Sequence, residues 1–167
     1  RAKRMLAGAD VMMESFRPGV MERLGLGYEA VKAINPRIVY CSVSAYGQTG
    51  PWRERPGVDG IVQAMSGIMS VLGRDADDHG DEDDPIKVSF PIADMLAVQG
   101  ILLGLLARDK HGVGQHVDVS LMEAALIMQK SSVTRFLNSG MLPEKTGSRA
   151  PYATPNEAFR TRDGHIM

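Results

Sequence analysis

Cysteine is nearly missing from this 167-residue chain. Cys41 stands alone, so no internal disulfide can form, and with no charged-apolar-small leader a reducing, cytoplasmic setting is expected. Neither sign of charge is in excess. The 19 Lys and Arg face 20 Asp and Glu, which leaves no global field to attract nucleic acid or an anionic membrane, so the expected partners are small molecules. Long apolar runs are also lacking. Met95 to Ala107 is the longest, and Gln99 and Gly100 interrupt it well short of the roughly 20 residues a membrane span needs, so it reads as a core helix. There is no P-loop, GxSxG elbow, HExxH or internal repeat, and His79, His111, His116 and His165 fall in loops or at strand edges without metal-ligand spacing. Serine-triad chemistry is set aside and no metal is expected.

What is present is a balanced composition, 44% hydrophobic and 23% charged, enough for one core. The chain opens on Arg1-Ala2-Lys3-Arg4 and stops just past a turn signal, so a piece of a longer polypeptide is expected. Strand and helix signals alternate from end to end, the pattern of an α/β fold with a parallel or mixed sheet under helices. Val11 to Met13 reads as a buried strand, running straight on from the opening residues. Short helices are expected at Val20 to Leu24 and Tyr28 to Ile34, and the best strand at Ile38 to Val43. After a Gly/Pro-rich loop, helices are expected from about Val58 to Met65 and from Ile92 to Lys110, the latter preceded by a β-like segment, Ile86 to Phe90. A strand at Gln115 to Val119 and one long helix, Leu121 to Leu137, follow. From Asn138 to Ala150 the composition becomes polar and Gly/Pro-bearing, a linker, so residues 1–150 are assigned to one domain and 151–167 to the start of another. In that last stretch Phe159 to Thr161 is strand-like and Asp163-Gly164 is a hairpin turn signal.

Two motifs fail on inspection. The acidic run Asp75 to Asp84 has calcium-loop density but not its register, since the fifth position is His79 and the twelfth is Ile86, so it reads as a solvated loop. Gly25-Leu26-Gly27-Tyr28-Glu29-Ala30 matches the dinucleotide pattern, but a helix-like segment precedes it instead of a strand, which makes it a helix-to-helix turn.

Three segments carry usable chemistry. Glu14-Ser15-Phe16-Arg17-Pro18-Gly19 leaves a strand and enters a helix, offering free backbone N–H groups, an aromatic face and a fixed cation to a nucleotide-bearing anion, with Arg23 about a turn further on. Taken by itself, this reads first as a structural turn with surface arginines. The glycines of Tyr46 to Gly57 would let a ligand approach the backbone, and Arg53 and Arg55 either meet it or cover surface. Asp94 lies near the start of the long helix, where an acid often serves as a cap. The same physics suits a nucleophile: the helix end favours the carboxylate, and nearby N–H groups can hold an oxyanion.

In this order the pieces resemble the class III CoA-transferase family (CaiB/BaiF type), which includes formyl-CoA transferase, carnitine CoA-transferase and alpha-methylacyl-CoA racemase. The resemblance rests on Ala9-Asp10-Val11, Glu14 through Gly19, Asn35-Pro36-Arg37-Ile38, Gly47-Gln48-Thr49-Gly50-Pro51, Arg55-Pro56-Gly57-Val58-Asp59, Ile92-Ala93-Asp94 and Gly112-Val113-Gly114-Gln115. It implies a Rossmann-like large domain leading into a smaller one, in an interlocked homodimer, with coenzyme A bound as acyl-CoA and a small carboxylic acid as the second substrate. Asp94 then matches the nucleophilic aspartate, which forms an aspartyl anhydride and next an aspartyl-CoA thioester. Asp59 matches an acid beside the active site. Ser15, Phe16 and Arg23 match CoA-contacting positions, Arg17 is their neighbour, and Arg55 to Val58 match a stretch lining the CoA pocket. The racemases carry a His where this chain has Val58, and valine cannot move a proton, so transfer is favoured over racemisation or epimerisation. A non-catalytic CoA-binding or dimerisation module is the remaining alternative.

Overall fold

The alternating segments form a parallel sheet between two layers of helix in a computed structural model that describes residues 1–72, 92–147, 149–150 and 152–167. The acidic run and the β-like segment before the long helix lie outside the described residues. In chain order the elements are α1 (Ala2–Leu6), β1 (Val11–Glu14), α2 (Val20–Arg23), α3 (Tyr28–Lys32), β2 (Val39–Ser44), α4 (Asp59–Met65), α5 (Ile68–Val71), α6 (Ile92–His111), β3 (His116–Ser120), α7 (Leu121–Met128), α8 (Lys130–Ser139), β4 (Phe159–Arg160) and β5 (His165–Ile166). The order β1-β2-β3 is parallel throughout, and β4 and β5 pair antiparallel in a separate two-stranded sheet.

The middle strand explains the layering. β2 pairs with β1 from Val11↔Val39 to Glu14↔Ser42 and with β3 from Tyr40↔His116 to Ser44↔Ser120, and all six of its residues are buried. Its side chains alternate between two cores. Cys41 and Val43 pack with Ala93, Ala97, Val119 and Ala124 under α6 and α7, while Tyr40 packs with Leu6, Val31 and Ile38 under α1 and α3. A strand covered on both faces reads as an unbroken apolar run, as Ile38 to Val43 does. Each large side chain buried there stabilises the fold by about 1.5–3 kcal/mol.

α6 meets the sheet through small residues. A Cβ on Gly100 would lie 2.5 Å from Val117 Cγ1, so the helix could not sit this close with any other residue there. Ala93, Ala97 and Gly104 continue the stripe, whereas Met95, Val98, Leu102, Leu103 and Leu106 face outward with 54–67% exposure. A helix apolar on all sides has the pattern of one packed between two layers. No helix among the described residues is long and apolar enough to cross a membrane.

Two motifs of the family resemblance turn out to hold the fold together. Asn35 donates from Nδ2 to the carbonyls of Leu6 and Ala9 at 3.0 and 2.8 Å, tying the entry of β2 to the α1–β1 connection. Gly114 donates its N–H to Pro36 O at 2.9 Å, and a Cβ on Gly114 would fall 1.9 Å from Ile38 O. Arg37 Nη1 adds a bond to Gly112 O at 3.2 Å.

Two expectations need correction. The predicted single helix from Leu121 to Leu137 is broken at Gln129, whose φ of −90° and ψ of 14° leave the helical region and whose buried Nε2 donates to Ser66 O at 3.1 Å. Helical periodicity cannot register such a break, because the apolar spacing continues across it. The opening residues, which carried no helix expectation, form α1 because Leu6 finds a place in the second core. The Gly25-Leu26-Gly27 turn does join two helices.

Gly114→Ala is expected to destabilise the intact protein by about 3 kcal/mol, because the obstructing atoms are backbone, while Gly112→Ala, at φ +79° with open space around it, costs about 1 kcal/mol. Urea denaturation of the two variants separates these values. Burial, reinforced by Glu14, pushes the Cys41 thiol up to about 11, so at pH 8 roughly one thiol in a thousand is ionised. Peptide mapping after treatment with a thiol-reactive probe is expected to find Cys41 unmodified in the native protein and fully modified in denaturant.

Candidate active site

Ligands of parallel sheets gather outside the carboxyl ends of the strands, and there the three connections of this sheet converge. β1 ends at Glu14, a buried acid whose Oε2 accepts the Phe16 N–H at 2.8 Å and so shapes the turn carrying Ser15, Phe16 and Arg17. β2 runs into a loop clamped by its neighbours. Gly47 takes φ +88° and donates to Ser44 Oγ at 3.0 Å, and the Gln48 N–H donates to Asp118 Oδ2 at 2.9 Å. β3 passes directly into α7, whose N-cap Ser120 accepts the Glu123 N–H at 3.2 Å.

On the face of the sheet covered by α2 and α3, the turn after β1 and the loop after β2 enclose, with those helices and His116 at the start of β3, a cleft of about 960 Å³. Arg17, Arg23, Tyr28, Gln48, Arg53 and His116 are among its lining residues. Arg53 pairs with Glu54 at 3.2 Å, whereas Arg17 and Arg23 have no carboxylate within ion-pair distance among the described residues. Glu22, Glu29 and Glu54 line the cleft as well, so its arginines are matched in number by acids, and Arg17 and Arg23 are the two cations it offers to an anion. Tyr28 stacks on His116 with ring centroids 4.9 Å apart. His116 Nε2 and Ser42 Oγ lie 2.9 Å apart, but Ser42 is 2% exposed and no acid holds the other ring nitrogen among the described residues, so the pair is no hydrolytic triad.

Of the residues matched to CoA contacts, Arg17 and Arg23 line this cleft, and Ser15, Phe16, Arg55 and Val58 stand outside its lining. Phe16 and Val58 are exposed, and the Arg55 guanidinium lies 4.7 Å from the centroid of the Trp52 ring. Of the remaining lining residues, Arg53 is one of the two arginines that sequence left between ligand and surface, while Gln48, Tyr28 and His116 carried no expectation as site residues. Position between glycines just after a strand marked Gln48, but nothing local marked His116, which joins Tyr28 only through the register of β3 with β2.

The two candidate acids sit on the other side of the same sheet end. Asp59 opens α4 and accepts from Gln63 Nε2 at 2.5 Å. With Val62, Gln63, Ala93, Ala124 and Met128 it lines a narrow crevice of about 20 Å³, room for about one water. Asp94 is exposed in the first turn of α6, directly after Ala93, so the helix start that bears it adjoins the crevice. Packing fixes which end of the sheet this is. Ala93 belongs to the core with Val43 and Val119 near the strand ends, while Gly104 sits against Val39 and Gln115 near the strand starts. The positive end of α6 and the strand exits that carry Arg17, Gln48 and Arg53 into the cleft therefore share the carboxyl edge of the sheet. No group of His, Cys, Asp and Glu suited to a metal occurs among the described residues.

Comparison with known proteins gives the family. The profile of CoA-transferase family III matches residues 1–167. An acyl-CoA transferase of Fusarium pseudograminearum is 40% identical over 98% of this chain and 35% of its own length, and an acetyl-CoA:oxalate CoA-transferase of Acetobacter aceti is 40% identical over 95% and 41%. The crystal structure of a CAIB/BAIF family protein from Brucella suis superposes with a TM-score of 0.81 at 34% identity, covering 98% of this chain and 43% of that one. The chain thus spans about two fifths of the length of these relatives. With sequence and fold agreeing over nearly every residue, the chain belongs to CoA-transferase family III.

Proposed function

We propose that the intact protein is an acyl-CoA:carboxylate CoA-transferase with Asp94 as its nucleophile. The observation that carries this reading is the shared sheet edge: an exposed carboxylate at a helix start on one face and an arginine-lined cleft on the other, bridged by the β2 loop. An extended thioester can rest its nucleotide against Arg17 and Arg23 and carry its acyl group over the strand ends to Asp94. Ser15, Phe16, Arg55 and Val58 then border the path of the pantetheine arm, and residues 151–167 open a second domain. The family resemblance adds an interlocked homodimer, and the single cysteine, Cys41, is in keeping with a reducing cytoplasm.

The chemistry follows from a carboxylate nucleophile. An Asp94 oxygen attacks the thioester carbonyl, the C–S bond breaks, and CoA leaves as thiolate while an aspartyl anhydride forms. The thiolate attacks the aspartyl carbonyl of that anhydride, releasing the donor acid and leaving an aspartyl-CoA thioester. The acceptor carboxylate attacks this thioester to form a new anhydride, and the thiolate finally attacks the acceptor's acyl carbon, which restores the Asp94 carboxylate. Each step exchanges one acyl bond for another, so no external energy source is required. Asp59 borders the crevice beside the helix start and serves to orient the reacting groups. Relatives named for oxalate, succinate and glutarate support a small carboxylic acid as acceptor. Val58 at the N-cap of α4 offers no base for a proton relay, which weighs against the racemase or epimerase alternative.

Hydroxylamine added to the full-length enzyme with acyl-CoA is expected to convert Asp94 to its hydroxamate, as mapped by mass spectrometry; modification at another residue would refute the assignment. Asp94→Asn is expected to lower kcat by about a thousandfold or more. Uptake of deuterium at the alpha carbon without an acceptor acid would instead support racemisation. Arg17→Ala and Arg23→Ala are each expected to raise KM for acyl-CoA by roughly ten- to a hundredfold while changing kcat little, the signature of lost binding rather than lost chemistry.

A further inference from the structure

Gln48 carries a polar atom that the described protein leaves unsatisfied. Its Nε2 is buried yet has no hydrogen-bond partner, in a side chain that lines the large cleft. A buried amide in that state forfeits the bond it would make to water, a cost that a fold rarely carries without return. The backbone around it is fully committed. Its own N–H is held by Asp118 Oδ2 at 2.9 Å and the preceding N–H by Ser44 Oγ at 3.0 Å, so the backbone stays in place and a turn of the side-chain torsions alone brings the amide to a group in the cleft. Gly47, at φ +88°, sets the sharp exit from β2 that makes both bonds possible.

The surroundings say what kind of group completes it. Arg17, Arg23 and Arg53 line the same cleft, and cations select ligands rich in hydrogen-bond acceptors. Beside such a ligand the amide presents its donor. A carbonyl oxygen is an acceptor too, but Arg17 and Arg23 on the same cleft favour an anionic oxygen. We propose that Gln48 is a phosphate-recognising residue whose Nε2 donates to a phosphate oxygen of the coenzyme A moiety. The inference rests on the reading that this cleft holds CoA, and it adds a neutral donor to the arginines that the family resemblance pointed to.

Two variants of the intact protein test it, Gln48→Leu removing the donor and Gln48→Glu replacing it with an anion of the same shape. Calorimetric titration with CoA is expected to show Kd raised about tenfold for Gln48→Leu and further for Gln48→Glu. Turnover of acetyl-pantetheine, which has no phosphate, should keep its wild-type kcat/KM in Gln48→Leu. The ligand-free melting temperature of Gln48→Leu should equal or exceed that of the wild type, because an orphaned donor has been removed. Unchanged CoA affinity in both variants would overturn the proposal, as would an equal loss with acetyl-pantetheine, which would move the contact to the thioester end. A lower ligand-free melting temperature in both variants would also overturn it, by showing that the amide is satisfied within the fold. Wild-type protein that fails to bind CoA would sink the underlying reading as well, whereas wild-type binding matched by both variants sinks this inference alone.

Discussion

Everything in this structure hangs on β2 being covered on both faces and paired on both edges. Its backbone polar groups are satisfied only with β1 and β3 in place, and its alternating side chains are dry only when α6 and α7 close one face and α1 and α3 the other. That double demand explains the stripe of small residues on α6. Ala93, Ala97, Gly100 and Gly104 let the helix axis approach the sheet until Val39 and Val117 fill the space that side chains would have taken.

The candidate site follows from the same geometry rather than from a separate design. Three parallel strands end together, so their exits must emerge at one edge, and each exit is pinned by a side chain from the sheet itself: Glu14 for the first turn, Ser44 and Asp118 for the second, Ser120 for the third. Antiparallel to those strands, α6 brings its positive end and Asp94 back to that edge. A cleft lined by Arg17 and Arg23 and an exposed carboxylate thus come to lie on opposite faces of one sheet end, a separation suited to a ligand that is long, charged at one end and reactive at the other.

Family resemblance and site chemistry are not the same list of residues. Asn35, Pro36, Arg37 and Gly114 contributed to the resemblance, yet they meet at the amino end of the sheet, where they hold the entries of β2 and β3 against each other. Their restraint is mechanical: a backbone carbonyl lies where any Cβ would have to go. Gln48 belonged to a motif of the same standing and instead faces the cleft. Motif membership alone did not separate these two fates, because both kinds of residue are constrained by backbone geometry.

The sequence by itself determined the fold class, the main strands and helices and the family, because apolar periodicity, β-branched runs and glycine placement are local consequences of the same backbone rules that build the elements. Asp94 near a helix start and the arginines after a strand were legible on the same grounds. Tertiary structure alone decided the break at Gln129, where a distant carbonyl on Ser66 outweighs helical continuity, and the pairing of Tyr28 with His116, which depends on the register between β2 and β3. It also decided which arginines share the cleft: Arg17, Arg23 and Arg53 converge there while Arg55 rests on Trp52. Direction in space depends on how the chain folds back on itself, and spacing along the chain does not record it.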